Sequence, residues 1–542
     1  MDYLESARQF EFEETAFHLG FLPTEQSSPL TRNMDLLFTR STEEGVRNLQ
    51  SVDRNVLSMA RRIVPSREFS ALAQAILDTI RGGGRVVFSG CGATGRLSIL
   101  LEAMWREACP EWADSVQSIM TGGDFALVKS VEAFEDYAQF GARQVRDLRM
   151  GKSDLLVAIT EGGETSSVLG TVREFTRIGG HAFLLFNNPA PILREHLERS
   201  REAIDNPLVT VLDLSCGPMA LAGSTRMQAT TCEQLVASAA LEIAANHLAN
   251  SPVAIDFPSA FHALLEQLES IDIVQRMARQ INAEADIYRK QGRITYFADE
   301  YMLDLFTDTT ERSPTFMLPP FHRIDDSLAP EPWAFVRNPL LDTPHAIRRA
   351  LGNRAPRCLS WTQEDYRQMN APQRILNNPP RIGVADLEAI PVGNEPLPAR
   401  YATENDAAVL FSHDAPSSSL LSAFQRTVSD FAGSWTIRTE LPAIPRTKLK
   451  VFEHLAVKLQ WNIISTGTMA KLGRISGNWM NYVAISNKKL IDRAIRLIAE
   501  LAKVDYHTAC IELFRSIAEG DPTLPAVQQT LKRLLPELAI SN

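Results

Sequence analysis

Three short apolar runs, each followed by a turn and a helical pattern, constrain the fold of this chain most strongly. They occupy residues 86–90, 155–160 and 182–186. Strands that are apolar on both faces and separated by helices are typical of a parallel sheet that is covered on both sides. The sequence therefore predicts a doubly wound α/β fold for the first half of the chain.

The first apolar run ends in a glycine-rich turn, and residues 85–96 read RVVFSGCGATGR. Glycines let backbone N–H groups approach an anion, and the N-terminus of a following helix attracts negative charge. We expect this helix to begin near Leu97. The turn predicts a phosphate cradle, although a strand-to-helix turn without a ligand has the same pattern. Its candidate residues are Gly90, Gly92, Thr94 and Gly95.

Two further segments are expected at the same edge of the sheet, because ligands of such sheets bind beyond the carboxyl ends of the strands. Their candidate phosphate donors are Thr160, Gly162, Thr165, Ser224 and Thr225. These hydroxyl groups could instead serve only as helix caps. Glu161 and Glu164 flank the second turn and would weaken anion binding unless they point away or bind sugar hydroxyls.

Composition excludes several other classes of protein. A net charge of −10 and the lack of a basic run argue against nucleic acid as a partner. The six cysteines form no CxxC pair and the histidines show no ligand spacing, so we expect neither a metal nor another cofactor. The start has no signal-peptide pattern and no run reaches about 18 apolar residues, so a cytoplasmic protein without membrane contact is expected.

The second half repeats the first more faintly. GRITYFA at 292–298 is similar to GRVVFSG, but Asp299 and Glu300 follow where phosphate donors would be needed. Such carboxylates would repel an anion, so this half is predicted to be a degenerate copy. From residue 451 onward the pattern is helical.

Five stretches in order resemble the sugar isomerase (SIS) domain superfamily. Within it, they are similar to the branch of the N-acetylmuramic acid 6-phosphate etherases and the glucokinase regulatory protein of animals. The stretches are TEQSSPLTRNMD at 24–35, GCGATGRL at 90–97, TGGDFALVKSVEAFED at 121–136, GPMALAGSTRMQA at 217–229 and STGTMAKLGRISGNWMNYVAISNKKL at 465–490.

The resemblance implies two SIS halves in one chain, as in the regulatory protein, rather than one SIS domain that pairs as a dimer. The halves would form a pseudo-dimer, and the chain would be a monomer or a homodimer. The expected division is an N-terminal extension at 1–50, a phosphate-binding SIS domain at 51–284, a degenerate SIS domain at 285–490 and an all-α cap at 491–542.

The resemblance also implies one composite site. Where the etherase motif carries its catalytic glutamate, the first half has Met104, whereas the second half reads TERSPTF and supplies Glu311. Glu132 and Glu135 match the two glutamates of the VE-x-x-ED motif. The anion cradle and Glu135 would thus face Glu311, and the other pseudo-site would be inactive.

Two arginines have alternative expected roles. Arg474 stands at the lysine of the LGK motif, where it would pair with the phosphate or a ligand hydroxyl, or else lie in solvent on a helix. Arg226 follows the GST turn and is expected to pair with a carboxylate of the protein.

The function implied by the resemblance is binding of a phosphorylated sugar or amino sugar. The favoured activity is a lyase that cleaves the D-lactyl ether of N-acetylmuramic acid 6-phosphate, with Glu135 and Glu311 as the acid/base pair. Alternatively both glutamates only bind sugar hydroxyls, and the chain is a non-catalytic sensor that controls a sugar kinase. An aldose–ketose isomerase is the third, weaker alternative.

Overall fold

A computed structural model describes residues 2–131, 134–251, 254–439, 441, 444–483, 485, 487–522 and 524–535. Five helices precede the first sheet. They are α1 (Tyr3–Glu13), α2 (Met34–Arg40), α3 (Thr42–Gln50), α4 (Asp53–Ile63) and α5 (Arg67–Arg81). Short 3-10 turns at Thr15–Phe17, Pro23–Glu25 and Pro29–Thr31 lie between α1 and α2.

The first sheet is parallel throughout, which confirms the predicted α/β class. Its strand order is β2-β1-β3-β4-β5, and every residue of β1 and β3 is buried. The strands are β1 (Val86–Gly90), β2 (Val116–Met120), β3 (Leu155–Ile159), β4 (His181–Phe186) and β5 (Val209–Asp213). Val86 pairs with Val116 on one side and with Leu155 on the other. Because the direction of the connections reverses between β1 and β3, a crevice is expected at the carboxyl ends of these strands.

Helices cover both faces of this sheet. They are α6 (Gly92–Ala108), α7 (Ala138–Asp147), α8 (Ser166–Arg177), α9 (Ala190–His196), α10 (Glu198–Ile204) and α11 (Gln228–Leu248), with 3-10 turns at Pro110–Ser115 and Asp124–Leu127. The prediction that α6 begins near Leu97 is wrong by about a turn. The helix starts at Gly92 because Thr94 caps it: the Cys91 N–H donates to the Thr94 hydroxyl at 3.0 Å.

Helices α12 (Phe257–Leu268) and α13 (Ile271–Arg289) lead to a second parallel sheet, of order β7-β6-β8-β9. Its strands are β6 (Ile294–Phe297), β7 (Ala334–Arg337), β8 (Ala407–Ser412) and β9 (Gly433–Arg438). The order matches that of the first four strands of the first sheet. The helices of this half are α14 (Met302–Phe316), α15 (Thr343–Ala350), α16 (Gln363–Gln368), α17 (Gln373–Asn377), α18 (Val384–Glu388), α19 (Ser418–Thr427) and α20 (Val451–Lys471), with 3-10 turns at Pro398–Tyr401 and Val428–Asp430.

One apolar core joins the two halves. It includes Phe88 of β1, Leu235 of α11, Tyr296 of β6 and Trp461 of α20, all of them fully buried. Helices α11 and α20 pack against each other and are buried along most of their length. The two sheets are therefore fixed to each other through a shared hydrophobic interior rather than through a linker.

The C-terminal region begins with a two-stranded ribbon, β10 (Ile475–Ser476) and β11 (Trp479–Met480). Helices α21 (Lys488–Ala502), α22 (Tyr506–Glu519) and α23 (Ala526–Leu534) follow. They form a separate apolar cluster with Ala7 and Phe10 of helix α1. None of the described helices is both long enough and apolar enough to cross a bilayer.

Candidate functional site

A cleft of about 750 Å³ opens where the carboxyl ends of β1 and β3 meet the second half. Its lining includes Gly92, Glu135, Thr165, Ser224 and Thr225 of the first half, Glu311 of the second half, and Lys489 and Arg493 of helix α21. Most of these residues belong to the predicted site. Three separate parts of the chain therefore contribute to one cavity.

Glu311 reaches the glycine-rich turn from helix α14 of the other half. A Cβ atom at Gly92 would lie only 3.8 Å from Glu311 Oε1. The same oxygen accepts a hydrogen bond from the Arg96 guanidinium. Arg96 is fully buried and also donates to the carbonyls of Ala126 and Leu127, at 2.8 and 3.0 Å. The Glu311 carboxyl group is thus held at the cleft by a fixed donor.

Glu135 lies on the opposite side and is bound by a lysine. Lys489 Nζ donates to Glu135 Oε1 at 2.8 Å and lies 3.5 Å from Glu164 Oε1. Burial opposes the charge of Lys489, but the carboxylates of Glu135 and Glu164 outweigh it and hold the lysine pKa well above its ordinary value. Lys489 therefore carries a positive charge into the cleft.

The second turn carries two glutamates whose surroundings differ. Glu164 accepts a 2.7 Å hydrogen bond from Arg199. Burial raises the pKa of Glu164, but Lys489 and Arg199 together bring it below its ordinary value. By contrast, burial and then the charge of Glu311 raise the pKa of Glu161 to about 7. The negative charge of Glu164 is balanced by neighbouring cations, whereas Glu161 is a weak acid at the cleft.

The predicted cradle residues divide into lining and supporting groups. Gly90 supports the turn, because a Cβ there would lie 2.4 Å from the carbonyl carbon and oxygen of Thr94. Gly95 packs less closely, since its Cβ would lie 2.9 Å from the Met120 side chain. Thr94 is occupied by the helix cap, and Thr160 donates to the Thr165 hydroxyl at 3.0 Å. Gly92, Thr165, Ser224 and Thr225 remain as groups that line the cleft.

Two other predicted residues, Gly162 and Arg474, do not line the cleft. The Gly162 carbonyl accepts a hydrogen bond from Asn188 at 2.9 Å. Glu132 lies outside the described residues. Arg474 is held away from the cleft, because its guanidinium lies over the rings of Trp333 and Tyr482, at 4.6 and 4.3 Å from their centres. Two aromatic faces thus take the place of the expected phosphate or hydroxyl partner.

Arg226 pairs with a carboxylate, as predicted. It forms a buried ion pair of 2.6 Å with Asp308 of α14. Lys458 of α20 supports the same segment, because its Nζ donates to the Arg226 carbonyl at 2.7 Å. The turn that presents Ser224 and Thr225 is therefore anchored to the second half.

Sequence reasoning missed two charged residues of the cleft, Lys489 and Arg493, whereas it expected Glu161 at the second turn. Lys489 lies in the NKKL segment of the last resembling stretch, so a signal was present. Arg493 follows one helical turn later and is bound by Glu25 at 2.8 and 2.9 Å. Within the described ranges, no group of three or more His, Cys, Asp or Glu side chains is arranged to hold a metal ion.

The equivalent edge of the second sheet also has a cleft, of about 690 Å³. Asp299 and Glu300 line it where the first site has its glycine-rich turn, and Met104 lines it where the first site has Glu311. His454 Nδ1 lies 2.8 Å from Asp304 Oδ2 at this edge. The two pseudo-equivalent clefts therefore carry different side chains at these corresponding positions.

Comparison with known proteins finds an SIS-domain family model and several etherases that are similar to this chain. A family model described as "Glucokinase regulatory protein N-terminal SIS domain" matches residues 68–175. The N-acetylmuramic acid 6-phosphate etherase of Yersinia pestis (strain Pestoides F) is 33% identical over 225 residues, which are 40% of this chain and 68% of that protein. The etherase of Yersinia pseudotuberculosis serotype O:1b (strain IP 31758) has the same identity and coverage.

Solved structures with a similar arrangement include a putative phosphosugar isomerase from Silicibacter pomeroyi. It is 11% identical, with a TM-score of 0.40, over 78% of this chain and 98% of that chain. The tagatose-6-phosphate ketose/aldose isomerase from Escherichia coli is also 11% identical, with a TM-score of 0.41, over 81% of this chain and 94% of that chain. The identity and coverage of the etherases are sufficient to assign the family: this chain belongs to the SIS-domain family of the N-acetylmuramic acid 6-phosphate etherases.

Proposed function

We propose that this protein binds a 6-phosphorylated amino sugar between its two halves and cleaves the D-lactyl ether of N-acetylmuramic acid 6-phosphate. The observation that carries the proposal is the position of Glu311. This carboxyl group of the second half faces the Gly92 turn of the first half, in the cleft that also holds Glu135 and Lys489. The proposed reaction uses two carboxyl groups and an anion cradle in one cavity, and the two halves together supply Glu135, Glu311 and the cradle here.

In the proposed complex the phosphate lies at the N-termini of α6 and α8. Backbone N–H groups and the positive ends of the helix dipoles attract a dianion there. Thr165, Ser224 and Thr225 add hydroxyl donors, and Lys489 adds a positive charge. The sugar then extends from the phosphate toward Glu135 and Glu311.

The proposed chemistry is an elimination followed by hydration. One carboxylate removes the proton from the carbon beside the carbonyl of the open-chain sugar. The bond between C3 and the ether oxygen then breaks, and D-lactate leaves with the electron pair and a proton from the other carboxyl group. Water adds to the resulting double bond, with hydroxide at C3 and a proton at C2. Each step is acid–base catalysis of the kind that paired carboxyl groups perform.

The test is incubation of the full chain with N-acetylmuramic acid 6-phosphate and measurement of released lactate. Glu311→Gln should retain the ligand but lose turnover, because an amide can still accept a hydrogen bond from Arg96 but cannot exchange a proton. The control is Glu111→Gln, which changes an exposed glutamate. Absence of lactate release at high protein concentration would contradict the lyase.

A non-catalytic regulator of a sugar kinase is the second candidate. The match of residues 68–175 to the regulatory protein's N-terminal SIS domain and the presence of two sheets in one chain favour it. A protein that binds a sugar phosphate, releases no lactate and changes the rate of a sugar kinase in a ligand-dependent manner would support this function.

A further inference from the structure

Glu161 is a third carboxyl group at the cleft that the proposed reaction does not use. It follows Thr160 at the carboxyl end of β3, in the turn that leads to the N-terminus of α8, which is proposed to bind phosphate. Its carbonyl oxygen accepts a hydrogen bond from the Asn187 N–H at 2.9 Å, which fixes the backbone of the turn. One carboxyl oxygen accepts from the Thr230 hydroxyl at 3.3 Å. The group is thus positioned at the place expected for the dianion.

The charged groups that face Glu161 come from four parts of the fold. Glu311 lies on α14, Glu233 on α11 and Glu135 before α7, and Lys489 on α21 is the facing cation. Lys489 is already bound by Glu135 and Glu164. Among the described residues, no cation lies within ion-pair distance of Glu161. An ionised Glu161 would therefore face mainly other carboxyl groups.

A phosphate dianion in this turn would add two negative charges beside the same carboxyl group. Repulsion between like charges favours the neutral form of an acid, and a neutral carboxyl group has an O–H that can donate. Burial and the charge of Glu311 already bring the pKa of Glu161 to about 7, so protonation requires little free energy near neutral pH. The dianion and the proton should therefore bind together.

We propose that Glu161 is a ligand-binding residue that donates its carboxyl O–H to a phosphate oxygen, so that the protein takes up one proton from solvent when a phosphorylated sugar binds. This inference rests on the sugar-phosphate site of the proposed function, and it is independent of whether the bound sugar is cleaved. The phosphate remains a dianion, and the proton goes from the buffer to the Glu161 carboxylate.

The experiment is isothermal titration calorimetry of the full chain with N-acetylglucosamine 6-phosphate, whose acylated nitrogen does not titrate, in buffers of different ionisation enthalpy. The second pKa of a phosphate monoester is about 6, so at about pH 8 the free ligand is already a dianion. Proton uptake at that pH then reports on the protein. We expect nearly one proton per ligand at about pH 8, and an affinity that falls about tenfold for each pH unit above the Glu161 pKa.

Glu161→Gln supplies a neutral donor of the same shape at every pH. This variant should bind N-acetylglucosamine 6-phosphate at about pH 8 with at least tenfold higher affinity than the unmodified chain, without proton uptake. The matched control is Glu198→Gln, an exposed glutamate of α10, which should behave as the unmodified chain.

The outcomes separate this inference from the proposed function. Binding without proton uptake in the unmodified chain, or uptake that persists in Glu161→Gln, would overturn the role of Glu161 and leave the sugar-phosphate site intact. Failure to bind either N-acetylglucosamine 6-phosphate or inorganic phosphate at any pH would overturn the site itself. Proton uptake is measured on the unmodified chain, so it decides the question even if the variant does not fold.

Discussion

Arg96 of helix α6 and Glu311 of helix α14 form an ion pair across the boundary between the two halves. Arg96 is fully buried, and only 15% of the Glu311 side chain is exposed. The pair holds the Glu311 carboxyl group at the glycine-rich turn. Because its partners come from different halves, it also stabilises the contact between the halves.

Removal of Arg96 should destabilise the whole fold. Arg96→Met leaves Glu311 without its cation and two buried carbonyls without their donor, so we expect the free energy of unfolding to fall by about 3 kcal/mol. Denaturant unfolding measures this loss. The matched control is Arg40→Met, which breaks a pair whose side chains are 72% and 43% exposed and should change the free energy by less than about 1 kcal/mol. Equal losses in the two variants would contradict the importance of the buried pair.

Replacement of Lys489 should weaken ligand binding. Lys489→Met removes the positive charge that faces the proposed phosphate position, and a charged hydrogen bond is worth about 1.5 to 3 kcal/mol. We therefore expect the dissociation constant for glucosamine 6-phosphate to rise about tenfold to a hundredfold. The neighbouring Lys488 pairs with Glu14 at 2.6 Å instead, so Lys488→Met is the control and should bind normally. Similar affinities of the two variants would remove Lys489 from the site.

Asp53 should make stability depend on pH. Burial raises the pKa of this carboxyl group from 3.8 to about 7, so the folded state binds the proton more tightly than the unfolded state. The contribution of Asp53 to stability is complete below pH 3.8 and is lost as the pH rises to about 7. The loss is at most about 4 kcal/mol, since each pKa unit corresponds to about 1.4 kcal/mol.

Asp53→Asn should therefore raise the free energy of unfolding at about pH 8 and change it little at about pH 4. Denaturant unfolding at both pH values provides the measurement. Asp78→Asn, at an exposed position of α5, is the control and should show no such pH-dependent gain. A stabilisation by Asp53→Asn of the same size at both pH values would rule out the titration.

Gly90→Ala should push helix α6 away from strand β1. The new methyl group would lie 2.4 Å from backbone atoms of Thr94, so the helix must shift, with a loss of about 1 to 3 kcal/mol in the free energy of unfolding. Ligand affinity should fall with it, because the cradle is built on this turn. Gly433→Ala is the control, since no atom lies within 4 Å of its added Cβ. Wild-type unfolding and binding in Gly90→Ala would show that the close approach is unimportant.

Fold and site were predictable from the sequence to different degrees. The apolar runs at 86–90 and 155–160 predict a parallel sheet because strands buried on both faces need no polar residues. The match of TERSPTF predicts Glu311 at the site. The start of α6 was misplaced because the Thr94 cap brings Gly92 and Gly95 into the helix, although glycine is a poor helix former.

Electrostatic properties of the cleft were not predictable in the same way. Lys489 binds Glu135, a residue 354 positions away, and only the folded chain shows that this carboxylate keeps the lysine charged. The raised pKa of Glu161 likewise depends on Glu311, which reaches it from the other half. Arg474 is the opposite case. The motif position holds a cation, as expected from the sequence, but its guanidinium lies over two aromatic rings instead of at the cleft.

Helix α1 packs on helix α22, so the first and last parts of the chain form one apolar cluster. During translation α1 is made before α22, so its apolar face stays uncovered until the later helix is available. Lys489 and Arg493 lie in α21, after both sheets and shortly before α22. The nascent protein can thus assemble both sheets before the ligand cavity receives its lysine.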